Sequence, residues 1–279
     1  MEAMGAAIRA MGDPTVPDVW KSAEAYERFM GRWSRPMAEK FLGWLDAPHG
    51  ADWLDVGCGS GALTESVLAR AVPRSIFGCD TATAFVRHAR RRIADPRAGF
   101  EVSAAGKLPF PHGAFDFVVA GLALNFLTDA GAGLKEMARV ARRGGTVAAY
   151  VWDYAGEMRM LGIFWDTAAE LDPAASDLHE GNRFTLCSPH QLEDLFHDGG
   201  LADVETQPLD GLARFRDFDD YWSPFLEGQG PAPSYVATLS GARQMELRER
   251  IRERLPALPD GSITLATRAW AVRGIAPAA

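Results

Sequence analysis

Short apolar runs alternate with amphipathic stretches through the middle of this chain. Runs near 52–56, 75–79, 98–102, 115–120 and 145–152 predict strands, and the stretches near 61–71, 82–94 and 130–141 predict helices. Such alternation implies an α/β fold, a doubly wound parallel sheet wrapped by helices. Ahead of it, residues 18–47 predict one or two amphipathic helices, with Tyr26, Phe29, Trp33, Met37, Phe41 and Trp44 at helical spacing. Beyond Tyr154 the pattern changes. Helices are expected at 157–171 and 189–199, the second stopped by Gly199 and Gly200. A strand near 201–209, a loop at 227–233, an exposed Arg- and Glu-rich helix at 240–254 and an alternating last strand at 262–272 follow.

One segment adds chemistry to this frame. The first run ends in Asp55, and Gly57, Gly59 and Gly61 alternate through the turn behind it. Glycines there let the chain turn tightly and let a ligand approach the main chain. Free N–H groups at the start of the next helix favour a polar or negative partner. Gly57, Gly59 and Ala62 also fit the dinucleotide fingerprint G-x-G-x-x-G/A. Asp55 argues against that reading, because a carboxylate sits poorly beside a pyrophosphate and well beside an ammonium and a sulfonium. The second run ends in Asp80, 23 positions after Gly57 (80 − 57). A strand–helix–strand unit of that length brings the two strand ends side by side. An acid there can accept both hydroxyls of a ribose, cap the next helix, or do both. Asp55, Asp80, Ala104 and Gly121 all fall at the carboxyl edge of the sheet, where such folds bind ligands.

Further signals lie in Lys107-Leu108-Pro109-Phe110, in Phe115-Asp116-Phe117, in Glu136-Met137-Ala138-Arg139-Val140 and in the pair Gly144-Gly145. Taken with the Asp55–Gly61 loop and Asp80, and in this order, the chain resembles a class I S-adenosylmethionine-dependent methyltransferase. The likeness is to the "type 11" group that includes ubiquinone/menaquinone-type methyltransferases, and it covers roughly residues 51–153. The segment from Tyr26 to Ser34 also resembles the leading helix of bacterial members.

The resemblance implies a seven-stranded, mostly parallel sheet with an antiparallel edge strand, strands six and seven forming an edge hairpin. It implies a helical cap over 1–50, a cofactor-binding core over 51–154, and a lid or acceptor-binding segment with strand six over 155–240. Residues 241–279 would supply the last helix and edge strand of one continuous catalytic domain. S-adenosyl-L-methionine would be the cofactor and S-adenosyl-L-homocysteine the product. The implied cofactor residues are Asp55, Gly57, Cys58, Gly59, Gly61, Asp80, Thr81, Ala104, Ala105, Gly121 and Leu122. Tyr26 and Arg32 join them from the leading helix, Arg32 because an arginine can pair with the methionyl carboxylate. One departure stands out. Members often carry an acid shortly before Leu-Pro-Phe that bonds the adenine amino group, and this chain has Ser103-Ala104-Ala105. Adenine is then expected to rest on main-chain groups near Ala104 and Ala105 and on apolar contacts.

Composition narrows the partners. The 279 residues are 47% hydrophobic and 24% charged, with a net charge of −8. That is an ordinary globular composition, and its acidity argues against a broad nucleic-acid surface. Arg90-Arg91-Arg92 reads as a solvated helix face. Cys58, Cys79 and Cys187 form no metal or disulfide pattern and suit a reducing cytoplasm. No signal peptide or membrane-length apolar run is evident.

Catalytic groups are less legible. Methyl transfer from a sulfonium needs alignment more than acid–base help, and alignment alone can supply about 7–11 kcal/mol. Asp153 and His179 are the candidate bases. His190 and His197 read as neighbours on a helix face, and Asp217, Asp219 and Asp220 as a helix start. No metal pattern appears. Trp152, Tyr154, Phe164, Trp165, Tyr221 and Trp222 hint at an aromatic or apolar small-molecule acceptor. The rival readings are a non-catalytic cofactor-binding or regulatory protein, an NAD(P)-dependent oxidoreductase, and a methyltransferase acting on RNA or protein. Acceptor, methylated atom and oligomeric state are not written in the sequence.

Overall fold

The computed structural model describes residues 30–227 and 230–277. Seven strands form one sheet: β1 (Asp52–Val56), β2 (Ser75–Asp80), β3 (Ala98–Val102), β4 (Phe115–Gly121), β5 (Ala141–Trp152), β6 (Ala202–Phe215) and β7 (Ile263–Ile275). Their spatial order is β3-β2-β1-β4-β5-β7-β6. The first five run parallel, and β7 runs antiparallel to β5. Every residue of β1 is buried, as a central parallel strand covered on both faces requires. Trp53 stacks on Phe117 of the neighbouring strand at 4.5 Å.

The helices of the parallel half follow the expected order. They are α1 (Arg32–Leu45), α2 (Ala62–Arg70), α3 (Thr83–Arg92) and α4 (Ala130–Val140). Trp33, Met37 and Phe41 form the buried stripe of α1. Tyr26 and Phe29 lie outside the described residues. The Asp129 side chain caps α4 by accepting the Ala132 N–H at 2.8 Å. Leu134, Met137 and Val140 on α4 join Leu54, Val118 and Val147 in one apolar core.

Several boundaries differ from the sequence reading. Strand β5 starts at Ala141 because Ala141 pairs with Phe115 ahead of a register shift. Strand β6 runs on to Phe215. Strands β6 and β7 are sheet neighbours, but residues 216–262 with several helices separate them, so no tight turn joins them. The expected 227–233 loop is cut short, because Pro231 opens a helix at the position where its missing N–H costs nothing.

Among the described residues the contacts define two compact units. One holds residues up to 153 with 185–211 and from 267 onward; the other holds 154–184 and 212–266. The first includes α7 (Pro189–Asp198), capped by Ser188. The second contains α5 (Arg159–Leu171), α6 (Glu180–Arg183), α8 (Phe218–Trp222), α9 (Pro231–Thr238) and α10 (Gly241–Arg254). Its core is aromatic: Phe164 stacks on Phe225 at 4.7 Å, and the buried Tyr221 hydroxyl donates to the Met160 carbonyl at 2.9 Å. Asp217 starts α8 by accepting the Asp220 N–H at 2.8 Å. Among the described residues no helix is long and apolar enough to cross a membrane.

Candidate functional site

The site grows from the way β1 and β2 end. Pairing of the two strands carries Val56 level with Cys79. The chain then turns over the end of β2, and the N–H groups of Gly57 and Cys58 both donate to the Cys79 carbonyl, at 2.8 and 2.9 Å. The next N–H, from Gly59, donates to the Asp80 carboxylate at 3.0 Å. The other Asp80 oxygen accepts the Ala82 N–H at 2.8 Å, ahead of α3. One side chain therefore fixes the loop after β1 and the entry to α3. Thr81 sits exposed between them.

Two of the glycines show why the loop needs them. Gly57 has φ of +74°, and a Cβ there would stand 2.5 Å from the Ala123 Cβ. Gly59 has φ of +51°, yet a Cβ there would meet no heavy atom within 4 Å. Gly57 is a packing requirement. At Gly59 the conformation is demanded but the space outside is open, as a main chain that a ligand must touch requires. Gly61 serves as the N-cap of α2.

Asp55 lies behind this loop, 1% exposed. One carboxylate oxygen accepts the Thr64 hydroxyl at 2.7 Å. The other is buried without a hydrogen-bond partner. Burial pushes the carboxyl up to about 7; the Thr64 hydroxyl and backbone N–H pull against that, and the Asp80 charge adds to it. Thr64 was not visible in the sequence as a site residue. Its signal was present: a hydroxyl in the first turn of the helix that the glycine loop opens.

The other strand ends supply the rest. The Ser103 N–H donates to the Asp80 carbonyl at 3.1 Å, placing 103–105 beside the end of β2. Ala104 is exposed and Ala105 half-buried. The Ala104 carbonyl accepts the Lys107 N–H at 3.0 Å. The Glu-x-x-Arg motif holds this segment down. Glu136 accepts the Leu108 N–H at 2.9 Å, and Arg139 donates to the carbonyls of Phe110 at 2.9 Å and Leu108 at 3.1 Å. Gly121 ends β4, and Leu122 follows with φ of +60°. A non-glycine residue held there stores on the order of 1–3 kcal/mol of strain, which tends to collect at functional sites. Its N–H is anchored to the Tyr150 carbonyl at 2.8 Å.

These contacts bring Asp55, Gly57, Cys58, Gly59, Gly61, Asp80, Thr81, Ala104, Ala105, Gly121 and Leu122 to one carboxyl edge of the sheet. Burial pushes the Cys79 thiol up to about 11 and the Cys58 thiol well above its ordinary value.

The remaining candidates are placed differently. Arg32 opens α1 exposed, its guanidinium 4.3 Å from the Trp33 ring centre. Asp153 follows β5, 6% exposed, with its N–H donating to the Arg268 carbonyl at 3.0 Å. His179 belongs to the other compact unit. Its Nδ1 accepts the Gly181 N–H at 2.8 Å and so caps α6. Burial lowers its pKa, and because Nδ1 accepts an N–H the ring's proton is on Nε2. The one imidazole lone pair is spent on the cap. Among the described residues no cluster of three or more His, Cys, Asp or Glu is arranged to hold a metal.

The comparisons with known proteins agree with this geometry. Residues 54–149 match the family model described as a methyltransferase domain. The demethylmenaquinone methyltransferase of Roseiflexus castenholzii is 40% identical over 173 residues, 57% of this chain and 71% of that protein. That of Roseiflexus sp. strain RS-1 is 38% identical over 95 residues, 34% of this chain, and there the match spans only 40% of the relative's length. Phosphoethanolamine N-methyltransferase 2 of Haemonchus contortus, solved in complex with S-adenosyl-L-methionine, has the same fold. Its TM-score is 0.59 at 16% identity, over 95% of this chain and 58% of that one. With the loop, the strand-ending acids and the strand order already in place, the chain belongs to the class I S-adenosylmethionine-dependent methyltransferases.

Proposed function

We propose that this methyltransferase binds S-adenosyl-L-methionine along the carboxyl ends of β1 to β4 and methylates a small apolar or aromatic acceptor. The observation that carries the cofactor assignment is Asp80. Each of its oxygens accepts one backbone N–H, and each keeps a further lone pair. A pair of ribose hydroxyls can donate to both. The open main chain at Gly59 takes the methionyl part, and the unpartnered oxygen of Asp55 suits its ammonium. The main chain of Ala104 and Ala105 takes adenine. Cys58, Thr81, Gly121 and Leu122 complete the wall.

Bound there, the cofactor supplies an activated methyl group with a neutral thioether as leaving group. The protein orients the two reactants and excludes water. A general base is required only where the acceptor keeps its proton at neutral pH. We assign that task to Asp153 and not to His179, whose Nδ1 already serves as a helix cap.

The acceptor class rests on the relatives named as demethylmenaquinone methyltransferases and on the net charge of −8, which disfavours nucleic acid. Three free thiols fit a cytoplasmic site of action. Incubation with methyl-labelled cofactor and a panel of quinols, phenols, amines, carboxylic acids, RNA and protein tests it. Label is expected in an apolar or aromatic small molecule; label confined to RNA or protein overturns the acceptor class.

A further inference from the structure

Within the unit of residues 154–184 and 212–266, the end of α5 and parts of α9 and α10 border a cavity of about 200 Å³. Leu171, Pro173, Leu239 and Leu247 give it an apolar wall. Asp172, Tyr235 and Arg243 supply its polar groups. The volume lies below the roughly 300–1,000 Å³ of sites for drug-sized ligands and admits a molecule of amino-acid size. The cofactor residues assigned above all belong to the other unit.

These polar groups are fixed in place without being used up. The Tyr235 ring packs edge-on against Phe164 at 6.3 Å and against Trp165 at 5.6 Å, and the residue is 6% exposed. Among the described residues its hydroxyl has no hydrogen-bond partner, although a buried tyrosine hydroxyl usually finds one. Asp172 accepts the Ala174 N–H with one oxygen, at 3.1 Å, to start the short 3₁₀ turn Pro173–Leu178. Its second oxygen is left over. Arg243 donates to Glu246 at 3.0 Å, but Arg250 draws on the same carboxylate at 3.3 Å, so Arg243 keeps N–H groups and charge for a further partner. Both charges act on the Tyr235 hydroxyl: burial raises its pKa, Asp172 adds to the rise and Arg243 opposes it.

We propose that this cavity is a binding site for a small zwitterion with an apolar side chain, of the α-amino acid class. A lone anion would be repelled by Asp172 and a lone cation by Arg243. A zwitterion engages both. Its ammonium donates to the remaining Asp172 oxygen, and its carboxylate accepts from the Arg243 guanidinium and the Tyr235 hydroxyl. Its side chain lies on Leu171, Leu239 and Leu247. Bound this way, both charges gain charge-assisted hydrogen bonds and the unpartnered hydroxyl is satisfied.

Calorimetric titration of the full chain with L-leucine tests the site, and saturable binding is expected. N-acetyl-L-leucine lacks the ammonium, L-leucinamide lacks the carboxylate and glycine lacks the apolar group. Each should bind weaker by about tenfold or more. Tyr235→Phe keeps the ring packing and should weaken L-leucine about five- to tenfold without moving the thermal melt. In Arg243→Gln, L-leucine should lose its advantage over L-leucinamide. In Asp172→Asn, it should lose its advantage over N-acetyl-L-leucine. Absence of saturable L-leucine binding, equal affinity for all the probes, or unchanged L-leucine affinity in Tyr235→Phe and Arg243→Gln overturns the site.

Discussion

The carboxylate of Asp80, at the end of β2, accepts the backbone N–H of Gly59, in the loop after β1, at 3.0 Å. The acid expected to hold the ribose thus also builds the loop expected to hold the methionyl part. Asp80→Ala should weaken S-adenosyl-L-homocysteine binding by about 1.5–3 kcal/mol, the range for hydrogen bonds to charged groups. Asp80→Asn should retain part of the loop contact and lose less. Calorimetry on both folded variants checks this; unchanged affinity in Asp80→Ala removes the ribose role.

The glycines separate stability from binding. Gly57→Ala would drive a methyl into Ala123 and should destabilise the fold by about 1–3 kcal/mol, as overpacking does. Gly59→Ala meets no atom of the protein. It should cost only about 1–2 kcal/mol from its left-handed backbone while blocking the cofactor. Thermal melts with and without S-adenosyl-L-homocysteine distinguish the two: ligand should stabilise the Gly57 variant and leave the Gly59 variant unmoved.

Asp55 also makes a prediction about pH. Its folded carboxyl lies above its unfolded value, rising from the ordinary 3.8 to about 7. The native state therefore binds more protons than the unfolded state across this window. The stability from this group is fully present below about pH 4 and is lost as pH rises through 7. The loss approaches about 4 kcal/mol as an upper bound. Ligand-free Asp55→Asn should be more stable than wild type at pH 8.5, and that advantage should shrink by about 2–3 kcal/mol at pH 5. Denaturant melts at the two values decide it; an advantage of equal size at both contradicts the assignment.

The opposite end of β1 gives a control. Asp52 takes hydrogen bonds from Arg74, Ser75 and Arg142, and Arg142 also pairs with Asp116. The Arg74 hydrogen bond, ahead of the opposing desolvation, holds the Asp52 carboxyl well below the usual range. Its stabilisation is present above pH 4 and lost as pH falls. Arg142→Ala should cost about 1–2 kcal/mol after allowing for solvent screening and leave cofactor affinity unchanged. Melts and calorimetry on that variant should move independently.

Much of this was legible beforehand for identifiable reasons. The central strands β1 and β4 announced themselves because they are buried on both faces and read as apolar runs, whereas the edge strand β3, with Glu101 and Val102 exposed, was marked by its place in the alternation. Asp55, the glycines and Asp80 were legible because strand ends and turns have strict residue demands. The Glu136–Arg139 motif was visible as a pattern, but its clamp on Leu108 and Phe110 was not, since it depends on tertiary pairing. Thr64 was missed because a threonine in a helix has many uses, and only the fold puts its hydroxyl against Asp55. His179 read as a candidate base because its type is suggestive; its capping bond to Gly181 is a matter of local backbone geometry that spacing does not show. The boundary of β5 was misplaced because Gly144-Gly145 looks like a break, whereas the strand already pairs at Ala141.

The most direct measurement is calorimetric titration of the purified protein with S-adenosyl-L-methionine and S-adenosyl-L-homocysteine, with NADH as control. Binding of both adenosyl ligands with no heat from NADH is the predicted result. Binding of NADH in preference to them, or no adenosyl binding by a folded protein, would contradict the assignment of the loop between Asp55 and Asp80.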